Sequence, residues 1–222
     1  MSYALYQYPE KALVNRIIPK TKFYEKAGIT KTVKDIFIKQ IQSVAWAYKL
    51  SPETINLSST KDLLEIQVFN IELKSASLDE RILMAIDKAI PHPIIFQVNY
   101  EKKIKVILGY KRINESDGSK WIIDQYFSSN WLSQDEAREI KQPLPLSSNL
   151  SKLYEQILKT LMPIKGNDGE HIRELTKRLS KIELKQREIE QLEQKIRNEK
   201  QFNRKVEMNN QLKVLKNEIA QS

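Results

Sequence analysis

Apolar positions in the last 53 residues, Glu170–Ser222, recur in steps of three and four: Ile172, Leu175, Leu179, Ile182, Ile189, Leu192, Ile196, Val206, Leu212, Leu215 and Ile219. That spacing places most of these side chains on one face of a helix. The segment holds no Gly and no Pro, and Phe202 is its only aromatic residue. Nothing in it breaks a helix, which favours one continuous rod of about 50 residues, roughly 75 Å long. The rhythm is regular from Ile172 to Ile182, slips by four residues before Ile189, and fades between Arg197 and Lys205. A slip of that kind locally unwinds a supercoil. The stripe is therefore two seams split by a polar middle, and a two-helix hairpin is the alternative to the rod. Such a stripe calls for a partner protein, a second copy of the chain, or the chain's own body. Phe202, inside the polar gap, is expected to anchor a specific contact.

Upstream the pattern changes. Residues 1–30 read as irregular chain with one short helix or strand. Val33, Ile36, Phe37, Ile41, Val44 and Tyr48 follow at helical spacing after Thr32, so an amphipathic helix is predicted over 32–48, ending before Ser51-Pro52. Residues 63–74 are β-rich and one strand long. Ser77 with Glu80 has the form of a capping box, and Ile82, Leu83, Ile86, Ala89 and Ile90 give a second helix stopped by Pro91. The runs 93–100 and 103–112 form a predicted hairpin across Glu101-Lys102. A turn is expected over Asn114–Gly118 and a third strand over 121–127. Ser133 with Glu136 caps a short helix, and Leu150, Leu153, Tyr154, Ile157, Leu158 and Leu161 define another over 149–162. Strand, helix, strand and then a meander make an α+β domain with a mixed sheet and packed helices, followed by the long C-terminal coiled-coil arm. The expected divisions are an α+β domain over 1–148, a connecting helix and linker over 149–169, and the arm over 170–222.

Composition narrows the classes. Hydrophobic residues make up 41% and charged residues 29%, a soluble globular balance. No apolar run is long enough for a transmembrane helix, and the first residues lack the layout of a secretory signal. There is no cysteine, which excludes disulfides and thiolate chemistry and fits a cytoplasmic setting. Two histidines, His92 and His171, leave no multi-His metal site, and no cofactor is indicated. The net charge is +9; the arm's 13 Lys and Arg against nine Glu supply +4 of it, leaving +5 elsewhere. A positive excess favours a polyanionic partner such as DNA, although lysine-rich surfaces are also simply soluble.

Three stretches carry candidate chemistry. Glu72-Leu73-Lys74, after Asp62 and Glu65, has the acidic-x-Lys outline of a restriction-type nuclease, in which two carboxylates hold Mg²⁺ and a lysine positions water. A single strand of ten steps would hold Asp62 and Glu72 roughly 33 Å apart, and a solvated strand face is the plainer reading. His92, between Pro91 and Pro93, sits at a helix-to-strand junction, and Asp87 on the preceding helix could face it, a pairing the sequence does not show. Lys102, Lys103, Lys105, Lys111 and Arg112, with Tyr100, Tyr110 and Trp121 nearby, interleave cations and aromatics as a nucleic-acid surface does. Strand lysines also protect sheet edges. Phosphate-cradling glycine motifs and a nucleophile elbow are absent.

Several blocks, in order, resemble a bacterial domain-of-unknown-function family, number 4391. They are Ile18-Pro19-Lys20, Val44–Leu50 followed by Thr54–Leu57, Glu65–Phe69, Ile86-Asp87 with Ile90–Phe96, Gly109–Lys111, Tyr126 with Trp131, and Glu199–Val206. The resemblance implies a helical C-terminal segment and a place beside DNA methyltransferases and helicases in restriction or phage-defence clusters. It implies an accessory, non-enzymatic subunit, with helicase or methyltransferase subunits as partners, and no catalytic residues. The alternatives are the metal-dependent nuclease and a structural homodimer.

Overall fold

The computed structural model describes residues 5–114, 116–117 and 121–220. The chain forms two compact units, one up to Pro163 and one from Ile164 onward.

The first unit is α+β. Its elements are β1 (Tyr6–Gln7), a 3₁₀ turn (Glu10–Ala12), β2 (Leu13–Ile17), α1 (Lys20–Ala27), α2 (Lys31–Gln40), β3 (Ile41–Leu50), α3 (Pro52–Ile55), β4 (Ile66–Leu73), α4 (Glu80–Ala89), β5 (Ile94–Tyr100), β6 (Lys103–Ile113), β7 (Trp121–Ser128), β8 (Leu132–Ser133), α5 (Gln134–Glu139), β9 (Gln142–Pro143) and α6 (Leu150–Leu161). The main sheet runs β2-β3-β4-β5-β6-β7, with β8 on β6. Only β4 and β5 pair in parallel within it, and α4 is the crossover that parallel pairing requires. A small parallel pair joins β1 to β9.

Alternation along the strands splits the core between two faces. On one face Phe69, Ile71, Leu73, Ile94, Phe96 and Val98 meet Phe23, Phe37, Ile82, Leu83 and Ile86 from α1, α2 and α4. On the other, Ile66, Val68, Ile95 and Leu108 are wholly buried, and α6, packed on β6 and β7, contributes Leu150, Leu153, Ile157 and Leu158. Burying one such side chain is worth ~1.5–3 kcal/mol, so both layers are needed to hold the sheet.

Three sequence expectations are corrected. The predicted helix over 32–48 is a helix to Gln40 and then a ten-residue strand, β3. Its buried residues, Ile41, Val44, Ala47 and Leu50, fall every third position because the register shifts at Ile41/Ser43 and again at Trp46/Tyr48. Two bulges thus give a strand the look of a helix. The cap of α2 is Thr30 rather than Thr32. The cap of α4 is Asp79, not Ser77, whose hydroxyl instead accepts from Gln40 Nε2. The turn expected over Asn114–Gly118 lies partly outside the described residues; within it Ser116 N–H donates to Asn114 Oδ1 (2.9 Å).

The second unit holds α7 (Ile172–Asn198) and α8 (Phe202–Ala220). The continuous rod is therefore corrected to a pair of packed helices, tied together by Lys216–Glu193 (2.8 Å) and Lys185–Glu218 (3.0 Å). The break needs no Gly or Pro. Glu199 turns to an extended conformation, and its Oε1 accepts the N–H groups of Lys200 and Gln201, both at 2.8 Å. A side chain thus satisfies donors that an uninterrupted helix would pair internally. No helix among the described residues is long and apolar enough to cross a membrane.

Candidate functional site

The acidic-x-Lys outline does not assemble. Asp62 is exposed in the bend before β4, and Glu65 lies at the N-terminal end of that strand. Glu72 and Lys74 lie at its far end. An extended chain from Glu65 to Glu72 spans roughly 23 Å. Glu65 accepts from Gln67 Nε2 (2.7 Å), pairs with Lys49 (3.0 Å) and meets His92 Nε2 at 3.5 Å. Burial alone would raise its pKa; the Gln67 and Lys49 hydrogen bonds and the charges of His92 and Lys49 outweigh that and hold the carboxyl low. Burial raises Glu72, against a hydrogen bond from Asn99. Lys74 Nζ donates to the carbonyl of Ile38 (2.8 Å), at the end of α2. Among the described residues no group of three His, Asp or Glu is placed to hold a metal.

The polar centre of the first unit is elsewhere, at the end of α4. Pro91 follows this helix closely; the Asp87 carbonyl accepts one long backbone bond, from Ile90 N–H (3.4 Å), so the last carbonyls keep acceptor capacity to spare. Lys111 reaches them from β6. Its Nζ donates to the carbonyls of Asp87 (2.8 Å), Ile90 (2.5 Å) and His92 (3.1 Å) and to Asp87 Oδ1 (3.3 Å). Four oxygens share three protons, and the cation sits at the negative end of the helix. Asp87 Oδ2 accepts from Tyr126 Oη (2.6 Å). Tyr154 Oη, from α6, donates to the carbonyl of Gly109 (2.5 Å) and accepts from Lys111 N–H (2.8 Å). Gly109 gives Tyr126 its place: a Cβ there would stand 2.9 Å from the Tyr126 ring.

The charged pair at the centre of this network is buried. Lys111 and Asp87 are each only 4% exposed. Burial pushes the Asp87 carboxyl up to about 6, against the pull of Lys111 and Tyr126. Burial also lowers Lys111, with Asp87 drawing it back, and raises both tyrosine hydroxyls. Its four contacts hold the Lys111 amine in place. It locks α4 to β6, and Tyr126 and Tyr154 extend that lock to β7 and α6.

The pairing of Asp87 with His92 is corrected, since Asp87 turns to Lys111 and Tyr126 while His92 faces Glu65. Burial lowers the His92 pKa, with Glu65 opposing and Lys111 and Lys49 adding. Lys111 is likewise withdrawn from the proposed phosphate contacts. Arg112 is held by Asp124 through two bonds (2.6 and 3.0 Å). Lys102 and Lys103 stand exposed at the hairpin tip and Lys105 is half-buried. The sequence reading missed Tyr126, Tyr154 and Gly109 as a unit. Two signals were present: a lysine closing the apolar run Val106–Tyr110, and an aspartate inside the apolar spacing of α4.

In α7, Ile172, Leu175, Leu179 and Ile189 are buried, whereas Ile182, Leu192 and Ile196 are half-covered. In α8 no residue is buried; Leu212, Leu215 and Ile219 are half-covered on the side that holds Met208. Phe202 is 78% exposed, and with Val206 and Val214 it lies on the opposite side of α8.

No curated protein and no solved structure matches the chain. One family model does, across residues 7–219. The chain belongs to the family described as Domain of unknown function (DUF4391).

Proposed function

We propose that this chain is a non-enzymatic accessory subunit of a bacterial DNA-defence or restriction-type assembly, and that its C-terminal helical pair docks onto a protein partner. The observation that carries this reading is α8: 19 residues of helix without one buried side chain, with Leu212, Leu215 and Ile219 half-covered and Phe202 open. Two helices alone rarely cover their own apolar stripes; a bundle of more helices does. The separation of Glu65 from Glu72 and the engagement of Lys74 by α2 leave the nuclease alternative without an assembled site. The family resemblance supports a setting beside helicase or DNA methyltransferase subunits. Lys102 and Lys103, the exposed cations of the hairpin tip, are the residues through which DNA would be touched.

The test is co-purification from the native cell. The full chain is compared with Leu212→Lys/Leu215→Lys/Ile219→Lys and with Phe202→Glu. Loss of a helicase or methyltransferase subunit in either variant is expected. Retention of every partner by both would remove the helical pair from the docking surface.

A further inference from the structure

A groove of about 800 Å³ lies between the α1–α2 turn, α4 and the start of β7. Its walls are apolar: Ile29, Val33, Met84, Trp121, Ile122 and Ile123. Met84, on the rim, is 50% exposed. The size falls within the ~300–1,000 Å³ of small-molecule sites, which are mostly apolar with few polar groups.

The charges of the lining decide the ligand. Among the described residues, four charged ones border the groove: Arg81, Asp87, Lys88 and Lys111. Asp87 and Lys111 neutralise each other, and Tyr126 takes the second Asp87 oxygen. Arg81 is bonded through two nitrogens to Asp79 (2.9 and 2.7 Å). Lys88 is exposed on the last turn of α4 and has no ion-pair partner among the described residues. The groove therefore presents a long apolar wall and one uncompensated cation.

We propose that this groove binds a small apolar anion of the aliphatic or aryl carboxylate class, its hydrocarbon along Met84, Ile122 and Ile123 and its head group at Lys88. The proposal is independent of the docking function assigned to the helical pair.

Trp121 supplies the readout. The full chain is titrated with 11-bromoundecanoate, below its micelle concentration, while tryptophan fluorescence is followed. Trp121→Phe assigns the quenching among the three tryptophans of the chain. Saturable quenching that vanishes in Trp121→Phe, weakens roughly tenfold in Lys88→Glu and survives in Lys88→Arg is expected, tenfold being ~1.4 kcal/mol. Lys88 is exposed, so these variants leave the core untouched. Quenching that never saturates overturns the proposal. So does equal binding of the bromoundecyl trimethylammonium cation, or unchanged affinity in Lys88→Glu. A solution mass that halves in Met84→Lys assigns the groove to a second copy and also overturns it.

Discussion

Replacing Lys111 with Met removes the charge while keeping a stem of similar length against β6 and α4. The variant leaves Asp87 as a buried carboxylate whose remaining donor is Tyr126, and it strips the carbonyls of Asp87, Ile90 and His92 of their shared cation. Breaking a buried pair from one side costs ~3–5 kcal/mol, because the surviving charge stays desolvated. Domains are stable by only ~5–15 kcal/mol, so this single change removes about a fifth or more of the total. With a urea dependence of ~1–3 kcal/mol per molar, the unfolding midpoint falls by about 1–5 M. Urea unfolding of wild type, Lys111→Met, Asp87→Leu and the double variant, followed by circular dichroism, completes a cycle. Removing both partners leaves no unpaired buried charge, so the double variant recovers part of the loss, with a coupling of ~0.5–3 kcal/mol. If Lys111→Met stays within ~1 kcal/mol of wild type, or the cycle shows no coupling, the amine is not the cap of α4 in solution.

Three further outcomes follow from the same geometry. The Asp87 pKa is raised to about 6, above its unfolded value of ~3.9, so its contribution is fully present below pH ~4 and lost as pH rises through 6; wild type should lose stability relative to Asp87→Asn over that window, and a relative gain would refute the buried acid. Gly109→Ala drives a methyl into the Tyr126 ring and the Ile123 side chain, so a melting experiment should show a loss of ~1–3 kcal/mol, largely suppressed in Gly109→Ala/Tyr126→Leu if the ring is the obstacle. If DNA is touched at the hairpin tip, Lys102→Ala/Lys103→Ala should lower the slope of log affinity against log salt by about 1.8 at unchanged stability, and an unchanged slope removes these lysines from the contact.

Legibility in the sequence followed periodicity and failed where geometry departs from it. β4, the β5–β6 hairpin and β7 stand out as short β-rich apolar runs between turn signals, α6 has a helical stripe, and the Ser133–Glu136 box caps α5 as read. β3 was hidden because its bulges convert a two-residue period into three. The α7–α8 break was hidden because Glu199, an ordinary helix former, supplies the acceptor that lets the helix stop. At the candidate site the residue types were visible and the pairings were not. Asp87 and Lys111 lie 24 positions apart on elements joined only by the fold. Lys111 counted as a surface cation because it neighbours Arg112, but adjacent strand residues point to opposite faces.

The lysines misassigned by sequence share one physical cause. α1 ends at Gly28 with φ 58° and α3 at Asn56 with φ 54°, left-handed residues that close a helix with its own backbone. α2 and α4 end instead in the extended residues Ile41 and Ile90, the first passing directly into β3 and the second into Pro91. Neither has a left-handed residue at its end, so beyond the backbone bonds of Ile41 N–H to Phe37 and Ile90 N–H to Asp87 the remaining acceptor capacity is open to side chains or water. Lys74 answers Ile38 and Lys20 answers Ile41 at the end of α2, while Lys111 answers Asp87, Ile90 and His92 at the end of α4. Each of these amines complements a helix dipole and ties a helix end to another part of the unit. The nuclease outline at Lys74 and the phosphate contact at Lys111 were therefore readings of structural cations. For such a chain the lysines to discount first as ligands are those that cap helix ends lacking a left-handed residue.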